Sequence, residues 1–352
     1  MADLQKILKQ VAEEHRTLIR AESRLTLNAI LAAAEGDAAA DLQIAALLSA
    51  LATRGETAEE LAGFAEAMRA RSLPLPLSDD ERARLVDTCG TGGDGRGTFN
   101  ISTGAALVAA AAGATVAKHG NRGVTSRCGS ADVLEALGVP VVLAPDQAAA
   151  CLRATGFSFL YAPLLHPSMK RVQHVRRALG FRTIFNLAGP LTNPALARAQ
   201  VMGVFASDRL PLVAEAMAKL GVRHAFVVHG SDGLDELTLT GESEVAEIRE
   251  RSIRLFRLAP ESAGLEPAEL KTLEGGDTPA GNAAILETIF AGETGPRRDI
   301  VLLNAAAALV AAGLAADFRH GVALAASAID SGAVLTTLEA LRAFGRSLAP
   351  TS

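Results

Sequence analysis

The segment Asp87-Thr88-Cys89-Gly90-Thr91-Gly92-Gly93-Asp94-Gly95-Arg96-Gly97-Thr98 is dense in glycine. Glycines let a backbone approach a ligand closely and turn successive N–H groups toward one anion. The run lacks the Gly-Lys-Ser/Thr of a Walker P-loop and is not read as a dinucleotide fingerprint. A phosphate or pyrophosphate is its natural occupant. Asn100-Ile101-Ser102-Thr103 follows at an expected helix start, where polar side chains cap the helix or meet phosphate and metal. Lys118-His119-Gly120-Asn121-Arg122-Gly123 then brings two fixed cations and an amide together, and Thr125-Ser126-Arg127-Cys128-Gly129-Ser130 adds hydroxyls and a second helix start. Three anion-friendly loops in one stretch imply a ligand with more than one phosphate.

The opposite charge sits farther along, in His229-Gly230-Ser231-Asp232-Gly233-Leu234-Asp235-Glu236. Adjacent Asp235 and Glu236 suit Mg²⁺, a hard cation held through carboxylates, water and substrate phosphates. A solvated acidic turn is the ordinary alternative, but a polyphosphorylated ligand in an acidic protein needs counter-charge. His229 closes an expected strand and is read as structural. A third region runs from His166-Pro167-Ser168-Met169-Lys170 through Arg176-Arg177 to Thr183-Ile184-Phe185-Asn186-Leu187-Ala188-Gly189-Pro190-Leu191-Thr192-Asn193-Pro194. It reads as a basic helix followed by a turn, with arginines able to grip a carboxylate through two hydrogen bonds.

These loops need a scaffold. The first seventy or so residues show helical spacing in Leu4-Ile7-Leu8-Val11, Leu25-Leu27-Ile30-Leu31 and Ile44-Leu47-Leu48-Leu51, and Thr57 with Glu60 forms a capping box. Leu73-Pro74-Leu75-Pro76-Leu77 breaks the pattern as a linker. Beyond Arg84, apolar strands alternate with helices: Leu85-Val86, then helix Thr103 to Gly113, strand 114–117, strand 200–205, helix Leu210 to Leu220, strand 225–229 and several C-terminal helices. This is the pattern of an α/β unit with a mostly parallel central sheet flanked by helices, whose ligands bind beyond the carboxyl ends of the strands. The expected division is a small all-helical domain over 1–74 and a larger α/β domain over 80–352.

The chain has 352 residues, is 49% hydrophobic and 21% charged, and carries a net charge of −5. That balance argues for a folded protein and against nucleic acid or an anionic membrane as partner. No apolar run is long enough to span a bilayer, and the N-terminus lacks the apolar core of a signal peptide, so the expected location is the cytoplasm. Three cysteines without CxxC spacing make neither a disulfide framework nor a zinc site.

Taken in order, Gly90-Thr91-Gly92-Gly93-Asp94, Asn100-Ile101-Ser102-Thr103, Lys118-His119-Gly120-Asn121-Arg122, Gly129-Ser130-Ala131-Asp132, Thr183 to Pro194 and Asp232-Gly233-Leu234-Asp235-Glu236 resemble the anthranilate phosphoribosyltransferase family. The resemblance covers nearly the whole chain. It implies a helical domain, with part of 166–194 packed onto it, joined to an α/β domain over 80–352 that binds phosphoribosyl, a homodimer formed through the helical part, and transfer of phosphoribosyl from 5-phosphoribosyl 1-diphosphate (PRPP) to the amine of anthranilate. By the same resemblance Gly90, Gly93, Asp94, Thr98, Asn100, Ile101, Ser102 and Thr103 contact PRPP. So do Lys118, His119, Gly120, Asn121, Arg122, Gly123, Val124, Thr125, Ser126 and Ser130. Ser102, Asp235 and Glu236 correspond to Mg²⁺ ligands, with Lys118, Asp235 and Glu236 as the catalytic set. Gly90, Asn121, Arg176, His119 and Pro190 correspond to anthranilate contacts, Arg176 as partner of its carboxylate. The sequence departs from the family where Thr125-Ser126-Arg127-Cys128 replaces the usual Ser-Ser-Lys-Ser. A pyrimidine nucleoside phosphorylase shares this architecture but fits the Asn100–Thr103 and Asp235-Glu236 patterns poorly. A nucleic-acid-binding relative of the same fold would need a basic face.

Overall fold

The computed structural model describes residues 3–123 and 128–348. Helices Leu4–Ala12, Arg20–Ala32, Ala38–Arg54 and Ala58–Ala70 form the helical unit. The capping box at its last helix is present: Glu60 N–H donates to Thr57 Oγ1, and Thr57 N–H donates to Glu60 Oε2. The apolar stripes meet in one core, with one exception. Leu25 is 53% exposed, because two residues before Leu27 it falls on the far side of a 3.6-residue turn.

The α/β unit is built on seven strands: β1 (Leu85–Asp87), β2 (Thr115–Gly120), β3 (Phe157–Tyr161), β4 (Ala199–Gly203), β5 (His224–Gly230), β6 (Ser243–Arg249) and β7 (Ser252–Leu258). Their order is β3-β2-β1-β4-β5-β6-β7, parallel through β5. The β6–β7 hairpin is antiparallel and has no counterpart among the strands read from sequence. Its outer strand is mostly exposed and carries Arg254 and Arg257 among its apolar residues, so it shows no buried apolar run to read as a core strand.

Strand alternation sends Val201, Phe226, Val228 and Val245 to one face and Met202, Ala225, Val227, Ala246 and Ile248 to the other. The first face packs on helices Ile101–Ala111 and Pro296–Ala312. The second shares a core with the helical unit and with 169–191, including the edge-on ring pair Phe64–Phe185. The linker is docked rather than loose: Leu75 is buried, and Leu73 N–H donates to Leu165 O. Among the described residues no single helix is long and apolar enough to cross a membrane.

Candidate active site

The chain runs from β1 outward to β2 and β3, then returns to place β4 on the other side of β1. The crevice beyond the carboxyl ends of β1 and β4 is therefore the switch point where such sheets bind ligands. The glycine loop leaves β1 there. Thr91 N–H donates to Gly203 O at 2.9 Å, and Phe205 N–H donates back to Thr91 Oγ1 at 3.1 Å. The letters Gly90 to Gly95 do fit the spacing G-x-G-x-x-G. The helix nevertheless begins only at Ile101, after a further excursion, so the loop is not a dinucleotide turn.

The acidic loop after β5 folds into the same crevice. Its carboxylates divide the work. Asp232 accepts hydrogen bonds from the Thr238 and Thr240 hydroxyls and shapes its own loop. Asp235 and Glu236 face the glycine loop: Asp235 N–H lies 3.4 Å from Asp94 Oδ2, and Ser102 N–H donates to Glu236 Oε1 at 3.2 Å. Burial and then repulsion from Glu236 and Asp94 push the Asp235 carboxyl well above its ordinary range, and burial pushes Glu236 up to about 7, against the pull of Lys118. The crowded carboxylates of Asp94, Asp235 and Glu236 beside the Ser102 hydroxyl offer oxygen donors, which fit a hard divalent cation. Two-way hydrogen bonds between the Asn304 amide and the Leu237 backbone hold the loop from below.

Lys118 lies under the loop, 2% exposed, with Nζ donating to Thr88 O and Thr88 Oγ1, both at 3.0 Å. Burial lowers its pKa. Next to it Asp87, fully buried, accepts from His119 N–H at 3.0 Å and from Asn193 Nδ2 at 2.8 Å. Burial raises Asp87 to about 6. Sequence reasoning assigns no role to Asp87, Thr88, Asn193, Gln200 or Asn304. Asp87 and Asn193 stand inside the quoted motifs, but only the fold shows them meeting across 106 residues.

Asn100 does not cap its helix. Its Nδ2 donates to Cys128 O, while Asn100 Oδ1 and Thr103 Oγ1 are buried without a hydrogen bond among the described residues. Thr98 pairs with Glu274, which closes the glycine loop. Arg122 is committed to Asp132 and Glu135 and lies over the Tyr161 ring. Asp132 also accepts from Gly123 N–H and Gly129 N–H, both at 2.9 Å, so it joins the two ends of the segment between them. Asn121 O accepts from Ser130 Oγ, and Gly120 lies against Phe159 and Ser130 so closely that a Cβ there would be 2.5 Å from Ser130 Oγ. Val124, Thr125 and Ser126 lie outside the described residues. His229 is structural, its Nδ1 donating to Val204 O at 2.7 Å. Burial raises the pKa of all three thiols, so no cysteine is primed as a nucleophile.

The helical side of the crevice supplies the rest. The His119 and His166 rings stand 5.1 Å apart, and burial holds His119 well below its usual range and His166 down at about 4. Both are neutral near pH 7, and neither ring nitrogen of His119 has a hydrogen bond among the described residues. Pro190 is buried, as is the adjacent Leu191, whose carbonyl accepts from Arg69 Nε at 2.7 Å. Arg176, on helix Lys170–Leu179, rests over the Phe185 ring at 5.3 Å. Burial lowers its pKa, and among the described residues no carboxylate pairs with it.

Residues 82–335 match the model of the glycosyl transferase family a/b domain, and 5–72 match its helical bundle domain. An anthranilate phosphoribosyltransferase of Moorella thermoacetica is 51% identical over 344 residues, covering 98% of each chain. The crystal structure of the Thermus thermophilus enzyme of that name superposes with a TM-score of 0.88 at 44% identity, covering 96% of this chain and 99% of that one. The Saccharomyces cerevisiae enzyme, in complex with PRPP and Mg, gives 0.87 at 29% identity, covering 98% of both. The chain belongs to the anthranilate phosphoribosyltransferase family.

Proposed function

We propose that the crevice transfers the phosphoribosyl group of PRPP to the amine of anthranilate, releasing pyrophosphate, with Mg²⁺ as cofactor. The observation that carries this reading is the meeting, at one switch point, of a glycine loop, a helix start and the Asp235–Glu236 pair.

In this reading Gly90, Gly93, Asp94, Thr98 and the Asn100–Thr103 turn hold PRPP through backbone N–H groups and short polar side chains, with 118–123 and Ser130 on the flank. Ser102, Asp235 and Glu236 would hold Mg²⁺, which supplies positive charge to the departing pyrophosphate. Lys118 adds a fixed charge beneath the loop. Arg176 fixes the acceptor's carboxylate, while Gly90, Asn121, neutral His119 and Pro190 border its ring. An aniline-type amine is a weak nucleophile, so rate comes from positioning and from stabilising the leaving group. No side chain is assigned as general base. The helical unit (1–74 with part of 166–194) serves the acceptor, and the α/β unit (80–352) serves PRPP. A cytoplasmic homodimer formed through the helical unit completes the proposal; that unit leaves Ile19, Leu25 and Leu42 exposed.

With no tryptophan and one tyrosine, the protein adds little to anthranilate's own fluorescence. Enzyme, anthranilate, PRPP and Mg²⁺ are mixed and that fluorescence is followed with and without EDTA. A decay that requires PRPP and stops with EDTA is expected. A flat trace from folded protein would overturn the assignment and turn attention to pyrimidine nucleosides with phosphate.

A further inference from the structure

Arg182 is exposed, stands six residues beyond Arg176, and is not among the groups assigned to either substrate. Its guanidinium donates to Gly93 O at 2.5 Å and lies over the Phe205 ring, 4.1 Å from the centroid. Gly93 belongs to the loop leaving β1 and Phe205 to the loop leaving β4, and Thr91 joins those loops from inside. One side chain from the acceptor-side segment thus reaches both loops at the switch point.

The contact falls where the loop is least constrained. Gly92 and Gly93 have φ of 64° and 80°, and two adjacent glycines have many conformations to choose among. The 93–94 peptide is planar and trans, so a carbonyl held toward Arg182 sends Asp94 N–H the opposite way. The same peptide sets where the Asp94 carboxylate goes, and that carboxylate meets Asp235 N–H at 3.4 Å. Between Arg176 and Arg182 the chain turns sharply at Gly180, φ 67°. Arg176 and the anchor of the glycine loop therefore ride on one short segment.

We propose that Arg182 is a positioning residue that fixes the Gly92-Gly93-Asp94 turn for the diphosphate and ties the PRPP loop to the acceptor side of the crevice. This rests on the phosphoribosyl-transfer reading. Its anchor role is tested first without substrate, by amide hydrogen exchange. Arg182→Ala should speed exchange in peptides spanning 90–97 and leave β4 and β5 protected. In turnover it should raise KM for PRPP roughly tenfold, the scale of one charge-assisted hydrogen bond, and move KM for anthranilate less. Arg182→Lys keeps a cationic donor of similar reach and should recover most of the PRPP effect. Unchanged exchange in 90–97, equal loss of protection across the sheet, or equal impairment of the Lys and Ala variants would each overturn the proposal. Wild-type protein that consumes no anthranilate would sink the functional reading, while the exchange result would still decide the anchor.

Discussion

Gly203 and Asp235 meet backbone to backbone: a Cβ placed on Gly203 would lie 1.5 Å from the Asp235 carbonyl oxygen. Gly90 also packs against Gly203, its own Cβ position 3.0 Å from Gly203 O. The glycine loop, the end of β4 and the acidic loop are therefore stacked without room for a side chain between them. Gly203→Ala must push the acidic loop away from Asp94 and Ser102. It is expected to lower kcat at least roughly 100-fold, the cost of displacing a catalytic group by about 1 Å. Steady-state turnover beside a circular-dichroism check of folding reads this out; near-normal kcat would contradict the stacking.

Asp235→Asn with Glu236→Gln removes two buried carboxyls whose pKa values burial holds above the ordinary range. A strong loss of kcat is expected, together with loss of the Mg²⁺ dependence. Retained turnover that still stops with EDTA would place the cation elsewhere.

Arg176→Ala removes a largely buried guanidinium that pairs with no carboxylate among the described residues. KM for anthranilate should rise roughly 10- to 100-fold, the worth of about 1.5–3 kcal/mol for a hydrogen bond to a charged group, with KM for PRPP far less affected. Equal effects on both substrates would show that the arginine does not serve the acceptor.

Asn304→Leu keeps the volume of the buried side chain but abandons the Leu237 N–H and C=O, both of which Asn304 satisfies. Leaving buried backbone groups unpaired costs about 1–3 kcal/mol each, so a clear fall in the denaturant midpoint is expected. An unchanged midpoint would mean that water or a shifted backbone satisfies those groups.

Asp87 carries a pH signature. Its folded-state pKa of about 6 lies above the ordinary 3.8, so the native state binds the proton more tightly than the unfolded chain. The stability it adds is present when the group is protonated and is lost as pH rises through about 6. Between pH 7 and pH 5 the wild type should gain about 1 kcal/mol relative to Asp87→Asn, by linkage. Urea titrations of both proteins at the two pH values measure this difference. A gap that does not change with pH would show that Asp87 ionises freely in the fold.

Local chemistry was legible in the sequence. Glycine runs, a capping box and helical or strand periodicity depend on neighbours a few residues apart, so the helical start, the parallel strands β1, β2, β4 and β5 (though not β3) and the loops that carry the candidate residues could be read before any fold was known. The β6–β7 hairpin could not, since an exposed arginine-rich edge strand has no buried face to leave a pattern. Nor could the placement of Lys118 under the loop on Thr88, the Asp87–Asn193 bond, the contact of Gly203 with Asp235, or the reach of Arg182 to Gly93. Each joins segments tens of residues or more apart. Such contacts arise only when the sheet reverses its strand order and the helical unit packs on one of its faces, because that packing decides which loops share a crevice and which buried charges must find partners.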